Sequence, residues 1–334
     1  MSSFKKYSVK VPTALMAMLV APALMVGASA NAKEWNAWNI HVEDYPVSHG
    51  MEAFAEEISE KTDGRLSAKV FHGGVLGSQP DAIEQTRLGI IDFGVYSLGP
   101  MGQSVPEANV VSLPFIFKGV DQMHRLMDGA AGEAIGKGLE AKGIVALGYY
   151  DAGARSFYNS KQPINTPDDV AGLKVRVMNN DLFVGMVNSM GGNATPMAFS
   201  EVYTALQTGI VDGAENNPPS YESTNHYEVA GYYSMSEHLI IPECLCMSKR
   251  TWDGLSAEDQ AIVQEAATNS VNLQRKLWAE REEQSMKTVR DAGVKVNLID
   301  DKAPFQAAME PVYAEFLEEN PELSDLVNLM RNAD

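Results

Sequence analysis

From Glu34 onward the chain alternates short apolar runs of strand length with helical periods that open on a small polar residue and close on glycine. Few architectures accept that order. Glu34–His41 reads as a first strand, and Ser48 caps a helix in which Met51, Phe54, Ala55 and Ile58 recur at helical spacing until Gly64. Leu66–Phe71 alternates as a strand and Gly73-Gly74 turns the chain. Ser78 with Pro80 opens another helix, followed by a short strand near Ile91–Val95. Strand–helix–strand order predicts a mostly parallel sheet with helices on both faces, and any ligand at the carboxyl ends of the strands.

The same grammar returns after residue 140. Ile144–Tyr150 and Leu173–Met178 read as strands, Asp181–Met190 as a helix closed by Gly191-Gly192, and Ser200–Thr208 as a short helix closed by Gly209. Thr166-Pro167-Asp168-Asp169 carries a cap, a first-turn proline and early acids, the marks of a helix start. Ser256-x-x-Asp259 starts the longest helical stretch, to about Arg290, long enough to brace two lobes. With 334 residues the chain suits an α/β protein of two lobes joined by several crossings. Residues 31–150 are expected to form mainly the first lobe and 151–245 mainly the second. Residues 246–334 are expected to be C-terminal helices that brace and return to both.

The first thirty residues read as an export signal. Lys5, Lys6 and Lys10 precede an uncharged run from Val11 to Gly27, and Ala28-Ser29-Ala30 and Ala30-Asn31-Ala32 offer overlapping cleavage sites near Ala30 or Ala32. The mature protein is therefore expected to be exported. Losing three lysines and no acids takes the net charge from −18 to −21, which repels phosphate backbones and argues against nucleic acid as a partner. Cys244 and Cys246 would share one face of a strand, with backbones too far apart for an unstrained bridge, so buried free thiols are expected.

Signatures of catalysis are missing. There is no Gly-x-Ser-x-Gly elbow, His-Glu-x-x-His or P-loop, and the six histidines show no pair at metal-ligand spacing. Gly136-Lys137-Gly138 lies in a helical segment without a preceding strand, so no dinucleotide site is expected, nor any metal or cofactor. What stands out is Arg176 within Gly172-Leu173-Lys174-Val175-Arg176-Val177, a cation in an apolar strand. Such a group needs either an internal acid or a guest carboxylate, which its planar fork can hold by both oxygens. Arg155, after Asp151-Ala152-Gly153-Ala154, poses the same choice, and Asn216 and Asn217 either donate to an anion or cap the turn before Pro218-Pro219.

Thr195-Pro196-Met197-Ala198-Phe199-Ser200-Glu201-Val202-Tyr203-Thr204-Ala205-Leu206-Gln207-Thr208-Gly209 is followed closely by Val211-Asp212-Gly213-Ala214-Glu215-Asn216, with Leu76-Gly77 and the Arg176 strand upstream. In these stretches the chain resembles the DctP-type solute-binding proteins of tripartite ATP-independent periplasmic (TRAP) transporters. The resemblance implies two α/β lobes with mixed sheets that close on a small organic acid and deliver it to a permease of small and large membrane subunits. It places the carboxylate-binding arginine at Arg176, its partner at Asn216, a second arginine at Arg155 and the packing aromatic at Phe199. Specificity positions fall at His41, Gln79 and Ser97, and His238 lies where some members complete the pocket. Ser97 and Gln79 are neutral where relatives carry acids, and Ala214 replaces a common glutamine.

Tyr149-Tyr150-Asp151-Ala152-Gly153-Ala154-Arg155-Ser156, Ala214-Glu215-Asn216-Asn217-Pro218, Ser220-Tyr221-Glu222 and His41-Val42-Glu43-Asp44-Tyr45-Pro46 are similar to the branch that takes glucuronate and galacturonate. That branch adds Asn217 and Tyr221 to the candidate ligand-binding residues. Binding of another sugar acid or a C4-dicarboxylate, with Arg155 as second cation, is the alternative. Docking on a sensor or an exported sugar-acid lyase are the other classes, and binding for transport is the expected one.

Overall fold

The computed structural model describes residues 33–333, and the expected export signal with its expected cleavage sites lies outside them. Strands run β1 Lys33–Trp38, β2 Leu66–Phe71, β3 Phe93–Ser97, β4 Ile144–Tyr150, β5 Ala154–Asn159, β6 Lys174–Val177, β7 Asn193–Pro196, β8 Gly213–Asn216, β9 Tyr232–Ile240, β10 Glu243–Ser248 and β11 Lys295–Leu298. Among the described residues they form two sheets, ordered β2-β1-β3-β10-β4 and β11-β9-β5-β8-β6-β7.

Both sheets are mixed. In the first, β1 runs parallel to β2 and β3, whereas β10 is antiparallel to β3 and β4. In the second, β6 is parallel to β7 and β8, β9 is parallel to β11, and β5 is antiparallel to β8 and β9. The mostly parallel sheet expected from element order fails because the chain changes sheets twice. It leaves the first sheet after Tyr150 and re-enters it at Glu243, three residues beyond Ile240, so β10 arrives from the second lobe.

The 35-residue helix Ala257–Asp291 ties the lobes together. At 1.5 Å per residue it spans about 52 Å, and Ser256 caps it by accepting the backbone N–H of Asp259. Val263, Ala266 and Ala267 pack with Met51 and Phe54 beneath the first sheet, while Val289 joins Tyr158, Val202 and Ala214 under the second. A third core runs through both lobes, from Tyr96 and Cys244 to Val175 and Val177.

Two local expectations change. The first helix begins at Pro46, after Tyr45, because proline suits the opening turn. Ser48 is inside it, accepting from Asn39 Nδ2 and donating to the Val42 carbonyl. The segment opened by Thr166 is a single 3-10 turn, Pro167–Val170, closed by a capping box with Asp169.

Cys244 and Cys246 form a disulfide, contrary to the free thiols expected. The pairing of β10 with β4 shifts register between Leu245 and Cys246, and this irregularity leaves the two Cα atoms 5.4 Å apart. That separation is inside the ordinary disulfide range, so the regular-strand geometry behind the expectation does not apply. Alkylation of the denatured, unreduced protein is therefore expected to leave both cysteines unlabelled by mass spectrometry, with labelling only after a reductant is added.

Candidate functional site

The carboxyl ends of β1, β3 and β6 and the start of β10 meet around one cavity of about 880 Å³, its open mouth included. That is the scale of a small-molecule site. The first lobe lines it with His41, Gln79, Ser97 and Glu243, and the second with Arg155, Arg176, Phe199, Asn216 and Asn217.

Arg176 sits mid-strand on β6, paired in register with Thr195 of β7 and Ala214 of β8, so flanking strands rather than solvent surround it. Only 3% of its surface is exposed. Its Nε and Nη2 both donate to the Met197 carbonyl, at 3.1 and 2.8 Å, which fixes the plane of the guanidinium. No carboxylate among the described residues lies within ion-pair distance, and Nη1 has no protein acceptor there. Phe199 covers one side, its ring centre 5.9 Å from Cζ. Burial lowers the guanidinium pKa to about 10, with partial compensation from Tyr158 and Glu215, so the group stays charged at neutral pH. A fixed cation with donors to spare, in a cavity, has the chemistry to receive a carboxylate.

Arg155 is also buried, but its charge is spent inside the protein. Nε donates to Glu215 Oε2 at 2.6 Å and Nη2 to Oε1 at 2.8 Å, a bidentate pair, while Nη2 also reaches the Glu215 carbonyl. Burial would push the Glu215 carboxyl up, yet the charge of Arg155 paired with it holds it down at about 2. His226 contributes no second cation, because burial and then Arg176 push its pKa to about 3.

The two asparagines divide the roles that their types allow. Asn216 Oδ1 accepts from Arg155 Nη1 at 2.8 Å and from the Asn217 backbone N–H at 2.9 Å. Those donors fix the amide orientation and leave Nδ2 as the donor toward the cavity. Asn217 caps the helix Pro218–Ser223: its Oδ1 accepts from the Ser220 backbone and its Nδ2 donates to the Ala152 carbonyl.

On the opposite wall Gln79 grips the backbone of Ser97 with both ends of its amide, at 3.4 and 3.3 Å. The Ser97 hydroxyl points to Met178 sulfur across the lobes. His41 stacks on Tyr45, ring centres 4.0 Å apart, and its Nε2 lies 3.2 Å from Glu243 Oε1.

Tyr221 and His238 are not brought to the cavity wall. Tyr221 is buried between Tyr158 and Tyr233 and donates to the Ala230 carbonyl. His238 stacks on Phe157, bonds Ser236 through Nδ1 and faces Glu215 from behind at 3.7 Å. Sequence reasoning passed over Glu243, Asn179 and Ser220, all of which line the cavity. Glu243 had a usable signal, an acid inside the apolar run from Leu239 to Met247, the mirror image of the Arg176 signal.

A family model described as DctP, "Bacterial extracellular solute-binding protein, family 7", matches residues 39–320. The chain belongs to this family. A solute-binding protein of Chromohalobacter salexigens is 53% identical over 320 residues, covering 96% of this chain and 95% of that one. The fold matches the TRAP periplasmic solute-binding protein of Sulfitobacter sp. NAS-14.1 with bound β-D-galacturonate at a TM-score of 0.89 and 73% identity, over 90% of this chain and 100% of that one. The Roseobacter denitrificans protein with bound β-D-glucuronate matches at 0.90 and 58% identity, with the same coverage. The cavity described above is lined from both sheets. Solute-binding proteins of this family are not an enzyme class. Among the described residues no cluster of three or more His, Cys, Asp or Glu is placed to hold a metal ion, and no helix is long and apolar enough to cross a membrane.

The Arg155–Glu215 pair carries a pH signature. A carboxyl held at about 2 against an ordinary 4.5 contributes stability that is complete above about pH 4.5 and is lost as pH falls toward 2. In a urea-unfolding series, Glu215→Gln is expected to lose about 3–5 kcal/mol at pH 7, the cost of stranding a buried guanidinium. It should also show a flatter fall than wild type between pH 4.5 and 2.

Proposed function

We propose that this protein is an exported, periplasmic receptor that captures a hexuronate, D-glucuronate or D-galacturonate, for a TRAP-type secondary transporter. Arg176 would hold the sugar carboxylate, Asn216 Nδ2 would donate to it, and Phe199 would pack on the ring. The leader would be cleaved at Ala30 or Ala32, and the loaded form would dock on the small and large permease subunits.

The single observation that carries this reading is the buried guanidinium of Arg176 facing a cavity with no internal acid as partner. It is supported by relatives at 73% and 58% identity whose structures hold galacturonate and glucuronate. The neutralised state of Arg155 favours a ligand with one carboxylate over a C4-dicarboxylate, because only one uncompensated guanidinium faces the cavity. Asn217, Ser97 and His41 add polar groups suited to hydroxyls.

Ligand binding then works as a shift of equilibrium. The carboxylate attaches to the second lobe and the hydroxyls to the first, so the closed arrangement of the lobes makes contacts that the open one lacks. A charge-assisted hydrogen bond contributes about 1.5–3 kcal/mol. Two of them hold the carboxylate to the second lobe in either arrangement, and closure is favoured by the hydroxyl contacts that only the closed one makes. The strongly negative surface does not prevent this, because a buried charge at contact distance outweighs exposed charges screened beyond about 8–10 Å.

Titration calorimetry is the test. Wild type is expected to bind D-glucuronate or D-galacturonate and to show no comparable heat with succinate. Arg176→Lys keeps the charge and loses the fork, so affinity should fall about 10- to 100-fold, the equivalent of one charge-assisted bond. Wild-type affinity in a folded Arg176→Lys protein would sink the assignment.

A further inference from the structure

The first lobe places an acid in the cavity that carboxylate capture does not use. Glu243 opens β10, is 7% exposed and lines the same wall as His41 and Ser97. Its backbone is fixed between Ser97 of β3 and Tyr150 of β4. One oxygen, Oε1, is 3.2 Å from His41 Nε2. The other, Oε2, is buried and has no hydrogen-bond partner in the protein. A buried carboxylate oxygen is an acceptor only, and natural structures rarely leave one unsatisfied.

The pair is backed by an aromatic ring. His41 lies flat on Tyr45, with an 8° angle between the rings, and the Tyr45 hydroxyl is tied to Ser220 at 2.9 Å across the lobes. Arg176 and Glu243 belong to different sheets and form no ion pair with each other. With Arg155 cancelled by Glu215, the cavity therefore presents one unpaired cation on one wall and one acid on the other.

We propose that Glu243 is the specificity-determining acceptor for the hydroxyl end of the ligand. Oε2 takes hydrogen bonds from sugar hydroxyls, and the same charge repels a second carboxylate placed there. This deepens the hexuronate reading above and rests on it. A sugar with one carboxylate satisfies both walls. A dicarboxylate satisfies Arg176 and meets a like charge at Glu243, and a neutral sugar leaves Arg176 unmatched. Discrimination of this kind comes from a repulsive element as much as from an attractive one.

Calorimetry with D-glucuronate and D-glucarate, which has a carboxylate at each end, on wild type and Glu243→Gln tests the assignment. Wild type should prefer glucuronate by more than 100-fold. Glu243→Gln should bind glucuronate about 10- to 100-fold more weakly and glucarate no worse, so the preference shrinks at least tenfold. A folded Glu243→Gln protein, judged by its melting curve, with unchanged glucuronate affinity and unchanged preference overturns the proposal while leaving the hexuronate reading intact. If that variant does not fold, wild type decides alone, and equal affinity for the two acids overturns the proposal. Absence of any uronate binding by wild type overturns the functional reading and this assignment together.

Discussion

A guanidinium removed from water without a counter-charge is an unfinished interaction, and Arg176 is held in that state. Removing a charge from water is costly unless the protein replaces what water supplied. Here one backbone carbonyl, that of Met197, takes two of the N–H groups, and Phe199 shields one side. The remainder of the compensation is left to whatever enters the cavity. Much of the second lobe serves to keep that state intact: β7 and β8 flank the strand, and His226 stays neutral behind it.

The second arginine shows why a count of cations misleads. Arg155 reaches the same cavity, yet Glu215 takes its charge in a bidentate pair and Asn216 takes its remaining fork. What looks like a second anion receptor acts as a brace. It orients the Asn216 amide so that the donor end, rather than the acceptor end, is turned to the cavity. The bracing extends outward through His238, which faces Glu215 from the far side.

Much of this was legible before any coordinates. Helix limits followed from local chemistry, as when Ser256 caps a helix that ends at Asp291, close to the expected Arg290. Arg176 was legible for the same kind of reason, since a cation among valines carries its own anomaly. Glu243 carries the equivalent anomaly, an acid within the apolar run that holds both cysteines. The Cys244–Cys246 disulfide depends on an irregularity in strand pairing, which is a property of two strands at once. Tyr221 follows Ser220 and His238 lies three residues before Ile241, both of which line the cavity, and proximity in the chain did not bring either to its wall.

The amino-acid sequence by itself determined the alternation of strands and helices, the caps, and the presence of a buried cation in need of an anion. Each of those depends on neighbours within a few positions. Tertiary structure decided which charges cancel. With 44 acids in the chain, the partner of Arg155 could not be chosen from composition. The antiparallel register of β5 on β8 made the choice by setting Ser156 opposite Asn216 and Phe157 opposite Glu215. Electrostatic pairing acts through space, over a few ångströms, and only the folded chain brings residues sixty positions apart to that distance.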